Sequence, residues 1–274
     1  MGACQTRDMS DRVTCTIENG VADVRMNRPE KMNALDGALF SALVETGEAL
    51  KTDPSVRAVV LSGEGRAFCA GLDFGSFQAM AGDSETNLEN VTPRRGGEIT
   101  NPGQQAAFVW QEIPAPVIAA VHGVALGGGF QLALGADIRI VAPDVKMSVL
   151  EVRWGLIPDM TGTQLLPKVV GLDVAKELTF TGRMIDGHEA VRLGVATKVS
   201  ETPLVDALAL AREIASKSPQ AVRGAKALLN MAGDVSLADG FKAEERTIRS
   251  LIGSPNQIEA VKAYFEKRDP VFED

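Results

Sequence analysis

The stretch AVHGVALGGGFQLALGADIRI, Ala120 to Ile140, decides how this chain is read. It begins at the end of an apolar run, passes through Gly127, Gly128 and Gly129, and continues into an alanine- and leucine-rich pattern with helical spacing. Strand, glycine turn and helix together are the grammar of an α/β unit. Three consecutive glycines weaken any regular element that holds them, so they need a reason. One is close packing of a helix on a strand. The other is a ligand approaching the free N–H groups of a helix start, where partial positive charge favours an anion or an oxygen becoming one. Gly123, Gly127, Gly128 and Gly129 do not make the G-x-G-x-x-G of a dinucleotide loop, and no phosphate-loop lysine follows.

A second stretch, GRAFCAGLDF from Gly65 to Phe74, also follows an apolar strand pattern and is rich in small residues. Two such strand exits can each offer one main-chain N–H to a single oxygen, which is what an oxyanion hole requires.

Working outward, Val13 to Glu18 and Val21 to Met26 read as a hairpin joined by Asn19-Gly20. Asp36 is placed to cap a helix over Ala38 to Leu50. Strands are expected at Val56 to Leu61, Val117 to Val121, Ile138 to Val141 and Met147 to Val149, with a helix from Gln104 to Gln111. Helical periodicity takes over beyond Thr161: Asp173 to Phe180, Gly187 to Leu193, Leu204 to Ser216, Ala221 to Met231, Leu237 to Ile252 and Asn256 to Lys267. The organisation expected is a flexible lead over 1–12, an α/β core over 13–200 and a helical region over 201–274. The polar, glycine-rich segment 82–103 reads as a loop.

The composition narrows the function classes. A formal charge of -8 without a long basic run argues against a phosphate-tracking nucleic-acid surface. The apolar runs are too short to span a bilayer, so no membrane partner is expected. Two histidines rule out a histidine-rich metal site, so no metal is expected. The three cysteines, Cys4, Cys15 and Cys69, have no metal or disulfide spacing and suit a reducing, cytoplasmic compartment.

The segments NRPEKMNAL, RAFCAGLDF and VHGVALGGGFQLALGADIRI together resemble the crotonase, or enoyl-CoA hydratase/isomerase, superfamily. The resemblance continues through EVRWGLIPDMTGTQLLPKVVG, FTGRMIDGHEAVRLGVATKV and AVKAYFEKRDPVF, and covers nearly the whole chain from Val13 onward. It implies a spiral of ββα units with a C-terminal helical region that assembles trimers, often paired into hexamers. It implies a coenzyme A thioester as substrate, the coenzyme entering as part of the substrate and no other cofactor being bound. It places the thioester carbonyl between the N–H of Leu72 and the N–H of Gly128. It further implies substrate contacts at Arg28, Lys31, Met32, Ala70, Asp73, Phe74, Gly127, Gln131, Pro158, Tyr264 and Lys267, the last two toward a neighbouring subunit.

Removing a proton beside a thioester places charge on its oxygen, and two preorganised N–H donors stabilise that enolate. Family hydratases hold the attacking water between two glutamates; the positions that match here are Gln131 and Glu151. A carboxamide can hold water but cannot exchange protons with it. Dienoyl-CoA isomerases carry a Glu and an Asp at the spacing of Glu151 and Asp159, and usually a further acid at the position of Gln131, so this chain matches two of their three acidic positions. Double-bond isomerisation by Glu151 and Asp159 is therefore the preferred expectation. Hydration by Glu151 with Gln131 placing the water, and a non-catalytic acyl-CoA binder, are the alternatives. A hydrolase using Cys69 is weaker, since no histidine is placed near it by sequence.

Overall fold

The computed structural model describes residues 5–73, 75 and 99–274. Its frame is a mixed sheet that begins antiparallel, with β1 (Gln5–Ser10), β2 (Val13–Glu18) and β3 (Val21–Met26). Asn19 and Gly20 join β2 to β3, both at positive φ (51° and 80°), as the tight hairpin turn demands. The sheet then turns parallel through β4 (Ala58–Gly63), β5 (Val117–Val121), β7 (Ile138–Val141) and β9 (Lys198–Val199). The spatial order is β1-β2-β3-β4-β5-β7-β9. Between them β6 (Val124–Leu126) and β8 (Lys146–Ser148) form a separate two-stranded parallel sheet.

Both faces of the large sheet are covered, which is why β4 and β5 read as unbroken apolar runs. Val59, Leu61, Val117, Ala119 and Val121 face one core, with α1 (Gly37–Lys51), α2 (Pro102–Glu112) and α3 (Gly128–Gly135) packed on it. Asp36 Oδ1 accepts the Leu39 N–H and caps α1, as the sequence indicates. Trp110 of α2 is fully buried there, so its role is packing. After α4 (Gly162–Val170), α5 (Leu172–Thr181) and α6 (Gly187–Leu193), the chain returns as α7 (Pro203–Ala215). This helix covers the other face, setting Ala207, Ala211 and Ala215 against Ala58, Val60, Ile118 and Ala120. Alanine at every fourth residue lets the helix lie close on the sheet.

Several elements differ from the sequence reading. The lead expected to be flexible contributes β1, which pairs with β2. α7 belongs to the core although it lies beyond residue 200. α4 begins where the helical pattern takes over beyond Thr161 and carries Pro167 inside it, whereas β6 and β9 escaped notice because they are too short to show a period.

The C-terminal helices α8 (Pro219–Met231), α9 (Leu237–Leu251) and α10 (Pro255–Glu266) complete the chain. Lys226 fastens α8 to the core. Its buried Nζ donates to the carbonyls of Trp110 (3.2 Å) and Ala115 (3.1 Å) and pairs with Asp137 Oδ2 at 2.8 Å. The same oxygen accepts the Val117 N–H at 2.7 Å. Burial pulls the Lys226 ammonium below its ordinary range, and Asp137 only partly offsets this. Lys226→Met leaves Asp137 without its cation and should cost about 3 kcal/mol of unfolding free energy, read by urea denaturation.

Candidate active site

Three chain segments run side by side and end together. Cys69 pairs in parallel with Ala125 of β6, and β6 pairs in parallel with β8. Parallel neighbours point their exits the same way. The segment after Cys69 leads to Leu72, β6 leads to Gly127 and Gly128, and β8 leads through Leu150 to Glu151. The bonds Cys69 N–H to Val124 O (3.0 Å), Leu126 N–H to Cys69 O (3.1 Å) and Gly127 N–H to Ser148 O (2.9 Å) fix the three exits.

The glycines permit this convergence. Gly127 holds φ 52° and ψ -118°, open only to glycine, and opens α3. A Cβ on Gly129 would collide with the Cys69 carbonyl. A Cβ on Gly71 (φ 90°) would lie 2.6 Å from Leu126 O and 3.8 Å from Gly128 N, so the two loops touch. Among the described residues no acceptor engages the N–H of Leu72 or of Gly128. The neighbours of Leu72 are both committed: Leu35 N–H donates to Gly71 O (2.8 Å), and Asp73 N–H to Leu35 O (3.0 Å). Two unengaged donors on touching loops are free to meet one oxygen.

Glu151 stands beside them, its Oε1 3.3 Å from where a Gly127 Cβ would be. Gln131 Nε2 donates to that oxygen at 2.5 Å, whereas Glu151 Oε2 is buried with no partner among the described residues. Gln131 Oε1 accepts the N–H of Met160 and of Gly162, each at 2.9 Å. Burial raises the Glu151 carboxyl above its ordinary range; the Asp159 charge adds to this, and the Gln131 amide and nearby main-chain N–H groups pull back. Partial burial raises Asp159 too, although the residue keeps an exposed surface in the single chain. Asp159 does not cap α4; the cap position belongs to Thr161, whose hydroxyl makes no capping bond.

The other expected contacts divide into groups. Met32 O accepts the Ala70 N–H at 2.9 Å, and Pro158 is buried next to Asp159. Arg28 is committed within the protein: Nη1 donates to Ala34 O (2.9 Å) and pairs with Asp73 Oδ2 (2.7 Å). Gly75 N–H and then Arg28 hold Asp73 below the ordinary carboxylate range. Lys31 is exposed. Tyr264 and Lys267 are exposed at the end of α10. Phe74 lies outside the described residues, as does 82–98 of the expected loop. Cys69 is buried with Sγ 3.1 Å from Asn33 O, and its thiol is pushed up to about 12, which disarms it as a nucleophile. Sequence reasoning missed Asn33, which is fully buried. Its amide donates to Glu64 O (3.0 Å) and Ala67 O (2.8 Å) and accepts the Arg28 N–H, tying NRPEKMNAL to the second loop. Its place inside that quoted segment was the available signal.

The family model described as enoyl-CoA hydratase/isomerase matches residues 16–274. The chain belongs to this family. It is 36% identical over 278 residues to the human enoyl-CoA hydratase domain-containing protein 2, mitochondrial, covering 99% of this chain and 91% of that protein. It is 34% identical to a probable enoyl-CoA hydratase of Bacillus subtilis, covering 95% of this chain and 98% of that one. The crystal structure of an enoyl-CoA hydratase from Bacillus anthracis superposes with a TM-score of 0.86 at 32% identity, covering 95% of this chain and 98% of that chain. The α/β architecture is thus the crotonase fold, and the protein is an acyl-CoA enzyme of the hydratase/isomerase family. Among the described residues no helix is long and apolar enough to cross a membrane.

Two measurements probe this site. Gly129→Ala sets a methyl against main chain that cannot yield, and should cost about 3 kcal/mol in a denaturation experiment. Gly128→Ala meets only side-chain tips, Leu35 Cδ1 at 2.8 Å and Met160 Sδ at 3.0 Å, and should cost less. Glu151 has a folded-state pKa above its unfolded value, so the penalty for burying its charge is absent below the unfolded pKa and complete above the folded one. Glu151→Gln should therefore raise Tm by about 2 °C or more at about pH 8 and leave it unchanged at about pH 4, by scanning calorimetry.

Proposed function

We propose that the protein isomerises a double bond in the acyl chain of a coenzyme A thioester. The thioester carbonyl accepts hydrogen bonds from the N–H of Leu72 and the N–H of Gly128. One of Glu151 and Asp159 takes a proton from the acyl chain, charge gathers on the carbonyl oxygen, and the other acid returns a proton at a distant carbon. The observation that carries this reading is the pairing of two unengaged N–H donors with two carboxyls lifted by burial. Burial raises both carboxyls above the ordinary carboxylate range, the direction that suits proton transfer.

Gln131 favours isomerisation over hydration. Its oxygen is committed to two main-chain donors and its NH2 to Glu151, and a carboxamide has no proton to exchange. Hydration is the second reading, favoured by the names of the relatives, with Glu151 as its acid/base. The protein works as a trimer or a pair of trimers. Exposed Trp154 and Ile157 beside the site, and Phe241, Tyr264 and Phe265 on the last helices, leave apolar surface for copies of the chain to cover. We place it in the cytoplasm, where Cys15 and Cys69 stay reduced.

Chromatography of reactions with 3,5-dienoyl-CoA and with 2-enoyl-CoA tests the choice. Isomerisation should dominate, and Glu151→Gln and Asp159→Asn should each lower it by about 100-fold or more. Water addition as the sole reaction, with Asp159→Asn fully active, would establish the hydratase instead.

A further inference from the structure

Gln131 is 1% exposed and sits one turn into α3, after the glycines. Two main-chain N–H donors converge on one end of its amide, and only a carbonyl oxygen can accept both. The amide therefore has one orientation, and its NH2 faces Glu151. The two donors, Met160 and Gly162, flank Thr161, which holds φ 76°. That conformation is rare and strained for a β-branched residue, and the Thr161 hydroxyl is buried with no partner among the described residues. The strained turn aims both N–H groups at one oxygen. Gly162 leaves the room, since a Cβ there would sit 2.7 Å from Gln131 Oε1. Glu151 Oε1 is thus engaged, while Oε2 stays buried and unpaired.

We infer that Gln131 is a positioning residue, held by the strained Met160–Gly162 turn, which locks Glu151 so that Oε2 alone serves as the proton acceptor. This rests on the reading of Glu151 as a base and adds to it how one carboxylate does that work with a glutamine at position 131. The groups that face Glu151 are Asp159, whose charge opposes its ionisation, and the Gln131 amide with the main-chain N–H groups of Leu150 and Glu151, which favour it. Loss of the Gln131 donor disfavours the ionised form, so the base becomes active only at higher pH.

The probe is butyryl-CoA in deuterated water, with loss of its C2 proton followed by NMR. The C2–H bond breaks, the proton passes to the base and exchanges with solvent, and a deuteron returns to the same carbon. No double bond need move and no water need add. In Gln131→Leu the acid limb of the exchange-rate profile should move up by about one pH unit. Gln131→Glu keeps an oxygen for the two main-chain donors and guards against a poorly folded Leu variant. Its carboxyl must share a proton with Glu151, so the limb should move further. Glu151→Gln should abolish exchange. Exchange that survives Glu151→Gln overturns both the base and its lock. Exchange lost in Glu151→Gln, with both Gln131 variants titrating like the unaltered protein, overturns the lock alone.

Discussion

The backbone of Gly129 and the carbonyl of Cys69 approach so closely that no Cβ fits between them, and the site hangs on that contact. It presses the start of α3 against the segment leading to Leu72, and so brings two main-chain donors from distant parts of the chain to one place. The Cys69 carbonyl also accepts the Leu126 N–H, which sets the register of β6 against the loop. β8 pairs on the far side of β6 and delivers Glu151 to the same end. Backbone geometry thus holds both N–H groups with no side chain to reorganise, which is the property the proposed oxyanion hole needs.

The carboxyls follow a different logic. Burial makes the ionised form of Glu151 unfavourable, and the fold tolerates the penalty because main-chain N–H groups and the Gln131 amide recover part of it. The strained turn at Thr161 and the carboxyl of Glu151, with its unpaired Oε2, meet at opposite ends of the Gln131 amide. Unrelieved strain and an unsatisfied buried oxygen are both destabilising, and both are found around this one amide.

The helical C-terminal region is not a mere appendage. α7 closes the second face of the sheet with three alanines, and the buried ammonium of Lys226 binds α8 to two carbonyls and a carboxylate of the core. α9 and α10 leave their aromatic side chains Phe241, Tyr264 and Phe265 exposed. The position of α7 was not legible from its periodicity, because an alanine stripe reports that something lies close, not what.

By itself the sequence determined the hairpin, the cap at Asp36, the buried central strands and the two glycine-bearing exits, since each depends on neighbours within a few residues. It also carried the family, through motifs spread over the chain. Tertiary structure alone decided that Arg28 is spent on Asp73, that Asn33 ties the first loop to the second, and that Gln131 faces Glu151. Those facts turn on contacts between residues distant in sequence. A hydrogen bond needs its partner within about 3 Å, and only the folded chain brings such partners together.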